Sequence, residues 1–165
     1  MPVWLRNLQR QVLFNEGLLK LQSELLLNLL GVGHFDISLA CVDTEEIQHL
    51  NKIYRNKDKP TDVLSFQYHK VTAPGVLPEV IHDWDRNLGD IVLGVPVIEG
   101  VCRYEGVRLV DRLPVLVTHG LCHLIGHSHS NPKQWSEMFR AEGKLLTCFN
   151  QSFGTNLKPL TEQQN

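Results

Sequence analysis

An α+β fold is what this sequence predicts, and three observations carry it. The chain has 165 residues, 42% of them hydrophobic and 21% charged, which suits one domain with a core that needs no disulfides. Segments that read as strands are interspersed with segments of helical period. One apolar helical segment carries His119 and His123 four residues apart, in the manner of a zincin-like metal-site helix.

Taken in order, residues 2–8, with Val3-Trp4-Leu5, read as a short strand. Residues 15–30 place Leu18, Leu21, Leu25, Leu26 and Leu29 at helical spacing, and Gly31 and Gly33 close that helix. Residues 35–42 alternate and predict a strand. Asp43-Thr-Glu-Glu46 resembles a capping box, opening a helix with Ile47, Leu50 and Tyr54 on its buried side. That helix ends before Pro60, and a strand starts near Asp62.

Residues 69–87 hold prolines, acids and Trp84 without regular period, and predict a long loop. Leu88–Leu93 reads as a strand in which Gly89 admits a neighbouring backbone or marks a bulge. Asp90, polar amid apolar residues, is either a satisfied structural carboxylate or a site residue. Helices follow over 96–106 and 109–126, with Pro114 in the first turns of the second or kinking it. Asn131-Pro132 caps and begins a last helix that buries Trp135, Met138, Phe139, Leu145 and Leu146 and ends at Gly154. The expected organisation is one domain over 1–154 and a flexible polar C-terminal tail over 155–165.

A formal net charge of -2 excludes a broad basic footprint, so any nucleic-acid contact must come from a local patch. Cys41, Cys102, Cys122 and Cys148 are scattered without a CxxC pair and read as reduced thiols in a reducing compartment. No apolar run has the length of a membrane span, and no membrane partner is expected. The first fifteen residues hold Arg6 and Arg10 and no acid, as in an organelle transit peptide, although the strand reading is the stronger one there. The expected location is mitochondrial or cytoplasmic.

The segment His119-Gly-Leu-Cys-His123-Leu-Ile-Gly126-His127-Ser-His129 bears the chemistry. His119 and His123 share a helix face. Gly126 tolerates positive φ and can turn the chain back so that His129 offers a third nitrogen. Three imidazoles leave one position of a tetrahedral zinc open, as in a catalytic site. Cys122 lies off that face and reads as packing.

The spacing is also that of metzincin proteases, which need Glu directly after the first histidine as general base. Here that residue is Gly120, so a metalloprotease would need a base from elsewhere. Phosphodiester cleavage fits better, because a guanidinium and a metal together can offset charge on phosphoryl oxygens. Arg55, with Lys57 and Lys59 beside it, is the best candidate to hold phosphate. The same basic cluster, with Lys52, could equally be a solvated helix end, and spacing does not by itself bring Arg55 to His119.

Four segments together resemble the YbeY family, the zinc-dependent single-strand endoribonucleases of ribosomal RNA maturation. They are Asn51-x-x-x-Arg55, Asp58-Lys-Pro-Thr-Asp-Val-Leu-Ser-Phe66, Leu88-Gly-Asp-Ile91 and the histidine motif. The resemblance implies an α+β fold with a small central sheet covered by helices. It implies one zinc on His119, His123 and His129, with Arg55 at the metal cleft on RNA phosphate and with Arg55 and His119 needed for catalysis. It further implies single-stranded ribosomal RNA as substrate, small-subunit ribosomal proteins as partners, and roles in ribosome quality control and assembly. Whether water or an RNA hydroxyl attacks is left open. A non-catalytic ribosome-assembly factor with a structural metal is a third reading. The family usually has an aromatic residue and Asp before the last histidine. This chain has His127-Ser128, so a supporting carboxylate is missing there, and His127 is expected at the surface or behind the ligands.

Overall fold

The computed structural model describes residues 2–162. Among them the elements run β1 (Val3–Asn7), α1 (Glu16–Leu29), β2 (Asp36–Val42), α2 (Thr44–Arg55), β3 (Val63–Gln67), a 3-10 turn at Asp83–Arg86, β4 (Asn87–Gly94), α3 (Val95–Glu105), α4 (Leu109–Leu124) and α5 (Pro132–Phe153). The α+β architecture predicted from the sequence is the one found. Helix starts follow local chemistry. The side chains of Asn15, Asp43 and Asn131 each accept the amide of the residue three positions on, satisfying donors that the first helical turn leaves free.

The sheet has the order β1-β2-β4-β3. The first three strands are parallel, and β3 runs antiparallel along β4. Its larger core joins Leu26 and Leu27 of α1, Ile37 and Leu39 of β2, Ile91 and Leu93 of β4, Leu116, Val117 and Leu121 of α4, and Phe149 of α5. A smaller cluster on α2, built on Val42, Ile47, Leu64 and Val92, lies apart from it. α4 lies against β3 and β4, and α5 packs on α4. α4 is therefore held by both the sheet and α5.

Gly89 meets both of its sequence readings. Its φ is +146°, and a Cβ there would stand 2.2 Å from the Phe66 carbonyl oxygen. The β2–β4 register also shifts beside it. The long loop is irregular apart from its 3-10 turn, but it is pinned. Val71 is buried, and His69 Nε2 lies 2.8 Å from the Asp85 carbonyl across the loop.

Two expectations differ. Tyr54 is 65% exposed rather than buried, because it stands at the rim of a cleft, edge-on to Phe66 at 5.0 Å. The segment after α5 does not run free over 155–162. Asn150 Oδ1 accepts from the Leu157 amide and the Thr155 hydroxyl, Asn150 Nδ2 donates to the Leu157 carbonyl, and Leu157 and Leu160 pack against the core. Its polar composition concealed those two leucines and one amide anchor. Residues 163–165 lie outside the described residues.

Candidate metal centre

α4 is buried along nearly its whole second half, which fixes the backbone that carries His119 and His123. The helix closes as a Schellman turn. The Gly126 amide donates to the His123 carbonyl at 3.0 Å, and the His127 amide to the Cys122 carbonyl at 2.9 Å. Gly126 has φ +105°, and a Cβ there would stand 2.8 Å from Val71. Glycine is needed on both counts. Gln67, at the end of β3, donates to the His123 carbonyl at 3.0 Å and ties the sheet to this turn.

The turn returns the chain so that one nitrogen each from His119, His123 and His129 lies within 4.8 Å of the others. His119 is buried, His123 half-buried, and His129 stands on the open side next to Trp135, with ring centres 5.5 Å apart. The Nε2 atoms of His119 and His123 are 3.1 Å apart. His123 Nδ1 faces the His127 carbonyl at 3.0 Å, which can only accept, so Nδ1 carries the proton. His119 Nδ1 faces the Glu142 carboxylate at 3.2 Å and is protonated for the same reason. Both Nε2 atoms then present lone pairs to one point with no proton between them. Neutral imidazoles so arranged fit a divalent cation, and the cluster can hold one.

The electrostatics favour neutral rings. Burial, then the neighbouring His119, push His123 down to about 4. Burial and His119 also lower His129, with Arg55 adding to the effect. Burial lowers His127 as well.

The cluster opens into a cleft of about 1020 Å³ lined by Tyr54, Arg55, Asp62, Phe66, His119, His123, His127, His129 and Leu160, among others. Arg55 thus lines the same cleft as the histidines. Among the described residues it makes no salt bridge. Asn51, one turn earlier and buried, donates to the Lys59 carbonyl at 2.9 Å and holds the loop after Arg55. Lys57 and Lys59 are exposed on that loop and are not among the cleft-lining residues. Lys52 is exposed and stands 3.7 Å from Asp58. Asp90 is exposed on β4, outside the cleft lining, so it is neither a buried structural carboxylate nor a wall of the site.

Gly120 packs closely against the sheet. A Cβ there would stand 3.0 Å from Ile91 and 3.1 Å from Ser65 Oγ, so this position faces the sheet. His127 lines the cleft beside the cluster without joining it, and its Nδ1 has no partner among the described residues. What His127 gives His123 is a main-chain carbonyl, which any residue at 127 would supply.

Glu142 belongs to no motif in the sequence. It is 0% exposed on α5, in a stripe with Met138, Leu145 and Phe149. An acid on an otherwise apolar helical stripe was the available signal. Burial alone pushes Glu142 up, but hydrogen bonds from His119 and Thr161 outweigh it and hold the carboxyl below its ordinary value.

The family model for endoribonuclease YbeY matches residues 7–150. The human endoribonuclease YbeY is 42% identical over 161 residues, covering 98% of this chain and 96% of that protein. The endoribonuclease YbeY of Francisella tularensis subsp. tularensis (strain FSC 198) is 32% identical over 142 residues, covering 86% and 79%. The solution structure of TM1509 from Thermotoga maritima has a TM-score of 0.60 at 23% identity, covers 99% of this chain and 97% of that one, and shows the same fold.

Proposed function

The chain belongs to the YbeY endoribonuclease family, and on that premise we propose that it is a zinc-dependent, single-strand-specific endoribonuclease of ribosomal RNA processing and ribosome quality control. The observation that carries this reading is the pair of facing Nε2 lone pairs of His119 and His123 on the wall of a cleft that also holds Arg55. The proposed metal ligands are His119, His123 and His129. A zinc ion held by these three imidazoles would supply Lewis acidity at the cleft.

The chain's own residues do the rest. Arg55, with no carboxylate to neutralise it among the described residues, takes a phosphate oxygen pair by forked hydrogen bonds and offsets charge that grows as the phosphodiester is attacked. Arg55 and His119 are the residues on which catalysis depends. Lys57 and Lys59, exposed on the loop after Arg55, add a long-range, salt-sensitive attraction for RNA phosphates. With a net charge of -2, affinity comes from this local cleft and from small-subunit ribosomal proteins as partners. The working location is mitochondrial or cytoplasmic, where free cysteines remain reduced. The proposed ligands, Arg55, Lys57 and Lys59 all lie within the single domain expected over residues 1–154. No described helix is long and apolar enough to cross a membrane.

The test is cleavage of a single-stranded ribosomal RNA fragment by wild type, His123→Ala and Arg55→Ala. Loss of cutting in both variants is expected, and wild-type cutting by both overturns the assignment. A 2′,3′-cyclic phosphate end identifies an RNA hydroxyl as nucleophile, and a direct 5′-phosphate identifies water. If His119→Ala abolishes cutting but still rescues ribosome assembly in cells, the protein works there as a non-catalytic factor.

A further inference from the structure

The segment after α5 reaches the back of the metal centre. It runs beyond residue 150, where the family match ends. Asn150 anchors it through Leu157, the Trp135 indole donates to the Glu162 carbonyl, and Thr161 is left 5% exposed between them. The Thr161 amide donates to Glu142 Oε1 at 3.4 Å, and its hydroxyl lies 3.4 Å from His119 Nδ1. Glu142 Oε1 in turn lies 3.2 Å from that same Nδ1. Glu142 Oε2 is buried with no partner among the described residues.

A carboxylate in an apolar stripe is costly and carries no packing advantage over leucine. The ring within its hydrogen-bond reach is the His119 imidazole, whose other nitrogen faces the proposed metal position. An acceptor behind the ring fixes which nitrogen is protonated, orients the ring, and makes the free nitrogen a better donor to a cation. Thr161 holds the carboxylate in place with an amide that can only donate. The hydroxyl then sits where it closes the gap between carboxylate and ring.

We propose that Glu142, clamped by Thr161 of the C-terminal segment, is the positioning residue for His119, so that the chain beyond α5 forms part of the metal centre. The inference rests on the reading that the three histidines hold a metal. The carboxylate lies behind His119 on α5, not on the turn that carries His127-Ser128.

The experiment measures zinc affinity of the full chain by competition with a chromogenic chelator, alongside melting of the chelated protein. Glu142→Gln keeps shape and removes charge, and we expect it to bind zinc about ten- to a hundredfold more weakly. Thr161→Val is expected to weaken binding severalfold, and Thr161→Ser to match wild type. Adding Thr161→Val to Glu142→Gln is expected to cost nothing more. Glu142→Gln within twofold of wild type overturns the inference, and so does an undiminished Thr161→Val effect in the double variant. Should Glu142→Gln not fold, equal zinc affinities for Thr161→Val and Thr161→Ser overturn it. If wild type and His123→Ala bind zinc alike, the metal reading itself fails. Tight wild-type binding untouched by Glu142→Gln removes the positioning role alone.

Discussion

His119 and His123 bring their Nε2 atoms to 3.1 Å, while the Nδ1 of each is turned away to an acceptor, Glu142 for one and the His127 carbonyl for the other. Two lone pairs facing each other repel unless something positive lies between them. Zinc at about a thousand times its Kd is expected to stabilise the fold by about 4 kcal/mol and raise Tm by roughly 10 °C. His123→Ala is expected to abolish that rise. Calorimetry with and without chelator checks it, and a variant that keeps the full zinc-dependent shift rules out His123 as a ligand.

Arg55 makes no salt bridge among the described residues, so its removal leaves no charge unpaired in the fold. Arg55→Ala is expected to melt within a degree or two of wild type, bind zinc equally, and cut RNA about a hundredfold more slowly. Arg55→Lys is expected to recover little of this, because an ammonium lacks the forked geometry. Lys57→Ala and Lys59→Ala are expected to change KM modestly and to flatten its salt dependence. Steady-state kinetics at two salt concentrations separates the two behaviours.

Gly126 holds φ +105° with Val71 at its back. Gly126→Ala forces either the turn or Val71 to move, at a cost of about 1–3 kcal/mol. Because this turn returns His129 to its partners, zinc affinity is expected to fall with stability. Urea denaturation and zinc titration of the same preparation test the link. Normal affinity in a destabilised protein would show that His129 finds its place without the turn.

His123 gives the metal-free protein a pH dependence. Its folded value of about 4 lies below the ordinary 6.5, so on acidification the unfolded chain takes up the proton first. Stability from this group is complete above 6.5 and drains away as pH falls toward 4, a loss of about 3 kcal/mol at most. Melting of chelated protein is expected to drop by several degrees between pH 7 and pH 5. His123→Gln is expected to flatten that interval, and an unchanged slope in the variant would place the dependence on other groups.

The elements were legible because their signals are local. Asn15, Asp43 and Asn131 cap helices by reaching three residues along the chain, and Gly126 declares its turn by its lack of a side chain. The three histidines were legible for the same reason, since four residues of helix and one turn span the whole cluster. Tyr54 was misread because helical spacing cannot say whether a neighbouring element covers a face, and here the cleft leaves it open. The C-terminal segment was misread because two leucines among polar residues give no period.

By itself the sequence determined the order of strands and helices, the histidine triad and the family, because each rests on contacts or spacings a few residues apart. Only the tertiary structure decided that Arg55 shares a cleft with His129, and that Gly120 packs against Ile91 and Ser65 of the sheet. It alone brought Glu142 and Thr161, 23 and 42 residues from His119, into contact with its ring. Those relations depend on how α5 and the final segment pack on α4, and on how α2 packs on β4. Packing is fixed by burial summed over the whole core, which no short stretch of chain encodes.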